Sequence, residues 1–134
     1  MMSKRTALSA FTIVVLLCVS RVFASSLVSS GNLGDMIAVE DVSVSDGVVS
    51  GVLVNKSQLL LRDVRLLIRH SWLWRNERAP GHNNPGRTES YTVPGEIPAG
   101  GRLPFSYTVE PPLPNRDDGT FETSVEVISL TQVG

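Results

Sequence analysis

Two histidines are the first residues in this sequence that could do acid–base or metal chemistry. His70 lies in an alternating apolar and polar stretch, and His82 follows among prolines, glycines and asparagines. A metal ion or a general base needs convergent partners at a defined spacing. Neither a His-x-His pair nor a carboxylate cluster joins these two residues. We interpret His70 as a hydrogen-bonded residue at the core edge and His82 as a solvated loop residue, and we expect no metal and no cofactor.

Nucleophilic catalysis finds no better support. A serine nucleophile needs a base and an orienting acid, and no Gly-x-Ser-x-Gly motif occurs. Asp117 and Asp118 precede Gly119 and are typical of a turn, and the further oxygen ligands that calcium requires are missing. Cys18, the only cysteine, lies in the segment that we expect to be removed. The sequence therefore predicts a protein without catalytic residues.

Two tryptophans, Trp72 and Trp74, could either anchor a core or bind a ligand. A tryptophan buries about 150–250 Å² of surface in a core, and its ring can also stack on a sugar or contact a peptide. Trp72 lies well inside an alternating stretch, which favours the core. Trp74 lies at the end of that stretch, beside a long loop, and there burial and exposure are equally open.

The loop at residues 76–87 is the strongest candidate for a binding surface. It is far longer than the usual hairpin loop of about two to five residues, and such loops are either mobile or functional. Pro80-Gly81 and Asn83-Asn84-Pro85-Gly86 exclude regular structure there. The candidate binding residues at this end are Trp74, Arg75, Arg78, His82, Asn83, Asn84 and Arg87. A mobile insertion without a role remains an equal alternative.

Strands and turns must position these residues. Period-2 alternation predicts strands at about residues 37–45, 48–55, 60–75, 88–93, 103–109 and 120–131, with no helix. Asp46-Gly47 predicts a tight hairpin, and Pro94-Gly95 is expected to end the fourth strand. Ile128 breaks the alternation of the last strand and indicates a bulge. The pattern predicts an all-β, antiparallel two-sheet sandwich of about six to seven strands, similar to immunoglobulin domains.

Alternation also assigns faces. In the first strand we expect Val42 and Val44 to be buried. On the outer face of the sheet we expect Glu122 and Glu126 to lie with Arg65 and Arg69. The predicted core rows are Val64, Leu66, Ile68, His70, Trp72 and Trp74; Leu103, Phe105, Tyr107 and Val109; and Phe121, Thr123, Val125 and Val127.

The first residues resemble a secretory signal peptide. Lys4 and Arg5 precede an apolar run at 10–19, which is shorter than the about 20 residues of a membrane span. Val22-Phe23-Ala24 then places small or permissive residues at the positions that a signal peptidase reads. We predict a signal peptide at residues 1–24, a flexible lead-in at 25–35 and the β-sandwich domain at 36–134. No dense basic stretch occurs, so nucleic acid is not an expected partner.

The segment from Gly51 to Asn55, followed by the alternating strand from Leu61 to Ile68, resembles the FxLYD family. That family is an immunoglobulin-like module of exported bacterial proteins. Ile97-Pro98-Ala99-Gly100, with Phe105 five residues later, resembles its later segment. The resemblance covers about residues 44–127. It implies an exported sandwich domain without catalytic residues.

Two hypotheses of function follow. The first is a non-catalytic interaction module, periplasmic or secreted, that binds a protein of the cell envelope through a sheet edge or loops. It would have no membrane span after cleavage. The alternative is a domain that binds a small ligand or carbohydrate with the 76–87 loop.

The signal-peptide hypothesis makes a direct prediction. The exported protein should begin at Ser25, because cleavage follows Ala24. N-terminal sequencing or mass spectrometry of the exported protein measures this. An intact N-terminus retained in the membrane would contradict it.

Overall fold

A computed structural model describes residues 25–29 and 32–134 of the chain, and these residues form seven strands and one short helix. The predicted signal peptide at 1–24 lies outside these residues. An all-β chain of six to seven strands is confirmed. The elements are β1 (Ser25–Ser29), α1 (Leu33–Met36), β2 (Ile37–Ser45), β3 (Val48–Asn55), β4 (Leu60–Trp74), β5 (Arg87–Ile97), β6 (Arg102–Thr108) and β7 (Gly119–Val133).

The strands form two antiparallel sheets that pack as a sandwich, as predicted. One sheet has the order β1-β7-β4-β5 and the other β2-β3-β6. In immunoglobulin domains, strands C, F and G share a sheet. Here β4 and β7 take the places of C and F, and β1 lies where G would lie. The first strand of the described chain thus extends the sheet that holds the last one.

Strand β4 supplies the largest row of the core. Its alternate residues point between the sheets because successive side chains of a strand point to opposite faces. Trp72 is only 7% exposed and packs edge-to-face on Phe121 with 4.7 Å between ring centroids. The predicted inward row of β4 is confirmed, with five members buried and Trp74 half-buried: Val64, Leu66, Ile68, His70, Trp72 and Trp74.

Asn55 fastens the end of the sandwich opposite the 76–87 loop. It ends β3, is 1% exposed, and its Nδ2 donates to the carbonyl oxygens of Leu59, Ile97 and Pro98 at 2.7, 2.9 and 3.0 Å. Its Oδ1 accepts from the backbone N–H of Ser57 at 2.9 Å. One amide side chain therefore satisfies backbone groups of two separate turns.

The prediction that Val42 and Val44 are buried is wrong, since they are 41% and 48% exposed. A bulge at Asp41, whose φ is 55°, places two residues of β2 opposite Gly51. Val44 still pairs with the buried Val49 and so lies on the inner face. It is exposed because β2 is an edge strand and this part of it is incompletely covered by the facing sheet.

Two other boundaries differ from the prediction. β5 continues through Pro94-Gly95 to Ile97, because both residues lie opposite Asp63 in a bulge that restores the pairing. The lead-in predicted over residues 25–35 contains regular structure, since β1 pairs with the end of β7 and α1 follows. The predicted bulge at Ile128 is confirmed by the register shift between Val127 and Ser129.

The outer face of the β4–β7 pair carries charges of both signs, as predicted. Glu122 and Glu126 lie opposite Ser71 and Leu67, and Arg69 lies opposite Ser124 between them. Arg65 lies on the same face, opposite Ser129. Opposite charges across strands contribute only about 0.2–1 kcal/mol each, so these residues affect the register more than the stability.

Burial of Trp72 leads to a stability prediction. Trp72→Ala should lower the free energy of unfolding by about 3–5 kcal/mol, because it leaves a cavity beside Phe121. Denaturant melts followed by circular dichroism measure this loss. Trp74→Ala, at a half-buried position, is the control and should cost less. A loss below about 1 kcal/mol for Trp72→Ala would contradict its role in the core.

Candidate functional site

Arg116 joins the two long loops at one end of the sandwich. It lies two residues before Asp118, in the loop that precedes β7, and its Nε donates to Asp118 Oδ1 at 3.0 Å. Its Nη1 donates to the carbonyl oxygen of Asn83 at 2.6 Å, and its Nη2 to that of His82 at 3.4 Å. The planar guanidinium group therefore binds a carboxylate with one edge and the backbone of the 76–87 loop with its other donors.

The two tryptophans pack against the same guanidinium group. The Arg116 guanidinium carbon lies 5.2 Å from the ring centroid of Trp72 and 5.5 Å from that of Trp74, within cation–π range. The two indoles meet edge-to-face at 6.0 Å. Gly81 packs so closely that a Cβ there would lie 3.0 Å from Trp74 Cζ3. Trp74 is thus half-buried, with one ring face covered by Arg116.

Charge reinforces this clamp of Arg116 and Asp118. The hydrogen bond from Arg116 is the largest influence on the Asp118 carboxyl and holds its pKa below the usual value. A lowered pKa means that the folded state favours the ionised carboxylate. The backbone oxygen of Asp118 also accepts from the N–H of Arg75 at 2.9 Å. This backbone bond holds the residue that forms the clamp with Arg116 to the chain that directly follows β4.

The structure places six of the seven predicted binding residues in two groups and leaves Arg78 outside both. Trp74 and Arg75 line a shallow concavity of about 400 Å³, and His82 and Asn83 contact its neighbour Arg116. Arg78 is exposed and lies outside the lining. The other two line a separate concavity with His70 and Trp72: Asn84, whose Oδ1 accepts from Gly86 N–H, and Arg87, whose Nε lies 3.0 Å from Glu89 Oε1.

His70 forms part of an enclosed polar network. Its Nδ1 lies 2.9 Å from Thr123 Oγ1, its Nε2 lies 3.2 Å from Glu89 Oε2, and its side chain has no exposed surface. Glu89 also interacts with the Tyr107 phenol of β6. The pKa of this phenol is raised, first by burial and then by the Glu89 carboxylate. A general base must reach the proton of its substrate. His70 instead links β4, β5 and β7, which agrees with its interpretation as a hydrogen-bonded core residue.

Nowhere in residues 25–29 and 32–134 do three His, Cys, Asp or Glu side chains come together in a way that could hold an ion.

The most distinctive surface is an uncovered stretch of β7. β7 has 15 residues, and β1 pairs only with the last five, from Ser129 to Val133. Among the described residues nothing pairs with residues 119–128 on the side away from β4. We call these ten residues the β7 open edge. Their register with β4 is regular from Gly119 to Val127, and they contain no proline. Their unpaired N–H and C=O groups are a template for another strand.

An apolar groove runs beside the β7 open edge. β2, the edge strand of the other sheet, faces β7 across it. Phe121, Val125 and Val127 point inward from β7 yet are only half-buried, because no further strand of the described chain lies beside them. The groove has a volume of about 290 Å³ and we call it the side groove; its lining residues are Leu33, Gly34, Ile37, Val39, Glu126, Val127 and Ile128.

Sequence reasoning missed Arg116 and the β7 open edge. Arg116 stands alone after a proline-rich run, and nothing local signals that its guanidinium group contacts tryptophans of a different strand. The open edge depends on which strands become neighbours, which alternation does not determine. The half-burial of Trp74 likewise depends on Arg116 and Gly81, both outside its own strand.

Comparisons with known proteins add no relative. No family model, characterised protein or solved structure matches this chain significantly. The resemblance to the FxLYD family therefore stays a prediction. Of the helices in the described part of the chain, none has the length and apolar character needed to cross a membrane.

The clamp predicts a response to acid. A carboxyl with a lowered folded-state pKa stabilises the structure above its unfolded pKa of about 3.9, and this contribution is lost as the pH falls through the folded pKa. The Trp74 indole N–H resonance should therefore stay constant from pH 7 to pH 5 and shift only in stronger acid. NMR titration measures it.

Matched variants locate this response. Asp118→Asn should shift the Trp74 resonance at pH 7 and abolish the acid transition, whereas the exposed neighbour Asp117 can be changed to Asn without effect. An unchanged acid transition in Asp118→Asn would show that another carboxyl is responsible.

Proposed function

We propose that this chain is an exported, non-catalytic interaction module that binds a protein partner by β-strand addition at the β7 open edge. The observation that carries the proposal is the ten-residue unpaired stretch beside the side groove. An added strand would gain backbone hydrogen bonds along residues 119–128 and place alternate side chains against the half-buried row of β7. The backbone hydrogen bonds and the apolar side-chain contacts can both form only where an open edge borders an apolar groove.

The other edge strands are less suited to a partner strand, and β1 is the shortest of them, with only five residues. β5 carries Pro94 and a bulge, and β6 carries Pro104, which lacks the N–H that a neighbouring strand would need. β2 is interrupted by the bulge at Asp41. Bulges, prolines and charged side chains are the usual protection of edge strands. Before Ile128 the β7 open edge has neither a bulge nor a proline, and its only charges are the outward Glu122 and Glu126.

Export and the lack of catalysis are parts of the same proposal. The signal-peptide pattern at 1–24 and the resemblance to an exported module support export. The enclosure of His70 supports a role without catalysis, because its imidazole lies out of reach of a substrate. We therefore propose that the partner is a protein of the cell envelope.

Ligand binding at the 76–87 loop is the second candidate. The concavity beside Trp74 favours it. Stacking on a sugar requires a free aromatic face, however, and Arg116 covers one face of Trp74. The clamp makes this concavity an ordered structural joint, and we therefore rank it below the edge.

Site-specific photo-crosslinking tests the proposal. A photoreactive residue is placed at Ser124, which is exposed on the β7 open edge, and the protein is expressed with its export signal in its own organism. Ser106, exposed on β6, is the matched control, and Arg78 reports on the loop. We expect one protein adduct from position 124 and none from position 106.

The partner identified from the crosslinked adduct is then purified. Its binding should slow amide hydrogen exchange at residues 119–128. Exchange that slows at residues 76–87 instead, with adducts from position 78, would favour the second candidate. Equal adducts from positions 124 and 106 would contradict a specific edge site.

A further inference from the structure

The outer face of the β7 open edge carries two carboxylates at a regular spacing. Glu122 and Glu126 are exposed and lie four residues apart, so both point outward from the same face. Across β4 they stand opposite Ser71 and Leu67. Within the described chain neither forms an ion pair, and the nearest cation in the register is Arg69, diagonal to both. A strand added on the open side would place side chains directly opposite both carboxylates.

The inner face of the same edge requires apolar side chains from an added strand. Phe121, Val125 and Val127 are half-buried, and Thr123 is held by His70. Inward side chains of an added strand would lie beside this row and above Val39 of the side groove. These surroundings are apolar, and a charged group placed there would lose its hydration. The edge therefore presents an acidic outer row and an apolar inner row.

From these rows we infer the partner's chemistry: an extended segment with lysine or arginine at two positions four residues apart and apolar residues at the alternate positions between them. This inference rests on the proposed function. Cβ atoms of directly opposite residues are about 4.5–5.5 Å apart, so the two cations meet Glu122 and Glu126 in one register. Strand addition supplies the affinity through the backbone, and the alternate side chains supply the specificity.

The chain itself contains this pattern on the other side of β7. In β4, Arg65 and Arg69 point outward, and Leu66 and Ile68 point inward. β4 is central in its sheet, between β5 and β7, so this segment is not free to act as the donor. It shows that β7 accepts a basic and apolar alternating strand as a neighbour.

Charge argues against a second copy as the occupant. If two β7 open edges paired antiparallel about Ser124, Glu122 of each would face Glu126 of the other. Like charges directly opposite are destabilising. A partner of opposite charge avoids this repulsion, and we therefore commit to a basic segment of another protein.

Two synthetic peptides test the inference on the intact mature protein. Both have ten residues, with valine at all even positions. One carries lysine at positions 3 and 7, the other carries glutamate there, and both have threonine at the other odd positions. The lysine peptide should bind at least about tenfold more tightly, since each charge pair changes from attraction to repulsion. Fluorescence anisotropy measures the affinities, and amide exchange should slow at residues 119–128.

A charge reversal locates the effect. Glu122→Lys combined with Glu126→Lys should reverse the preference, so that the glutamate peptide binds more tightly. Glu77→Lys combined with Glu96→Lys changes the net charge equally at exposed positions elsewhere and should keep the original preference. If both double variants behave alike, the preference comes from net charge and the inference is wrong.

The outcomes separate this inference from the proposed function. Equal affinity for both peptides, with slowed exchange at 119–128, overturns the basic partner and leaves strand addition in place. Binding of neither peptide at millimolar concentration overturns the inference. Peptide binding without slowed exchange at 119–128 overturns the edge site itself. A concentration-dependent dimer that protects the same amides identifies a second copy as the occupant and also overturns it.

Discussion

Strand β4 pairs with β7 from Leu60 to Trp74, and this long antiparallel register determines the positions of most other groups. It places Trp72 opposite Phe121 and His70 opposite Thr123, so the aromatic contact and the enclosed polar network both follow from it. It also aligns Gly119 with Trp74, where no Cβ would fit against the Trp72 ring. The aromatic contact, the enclosed polar network and the close fit at Gly119 are consequences of this one pairing.

The sheet formed around that pairing is complete on one side only. Every backbone N–H and C=O of a strand needs a partner, which is water at an exposed edge. From Leu61 to His70, β4 is paired on both sides, with β5 and with β7. Among the described residues, β7 over 119–128 is paired only with β4. A short β1 covers the remainder. The uncovered length and the half-buried side chains beneath it have the same cause, because no further strand of the described chain lies next to residues 119–128.

Much of the fold could be predicted from alternation alone. A strand as long as β4 repeats its pattern often enough to identify its inward face, and the rows that end in Val109 and Val127 were identified in the same way. The bulges at Asp41 and Asp63 could not be predicted, because an aspartate with positive φ leaves no distinctive local pattern. β1 has only five residues and gains its structure from a partner at the far end of the chain. Of the predicted loop residues, Trp74, His82 and Asn83 lie around Arg116. Arg116 itself could not be predicted, because it joins them through contacts distant in sequence.

The pairing of β1 with the end of β7 also has a consequence for the chain's connectivity. Ser25 stands opposite Val133 across the sheet, so the start of the first described strand and the end of the last one are neighbours. A short turn between them would convert β7 and β1 into an ordinary hairpin. The sandwich could then be opened at another surface loop without rearranging either sheet, as circular permutation requires. The order of the strands along the chain could therefore be changed without changing their arrangement in the two sheets.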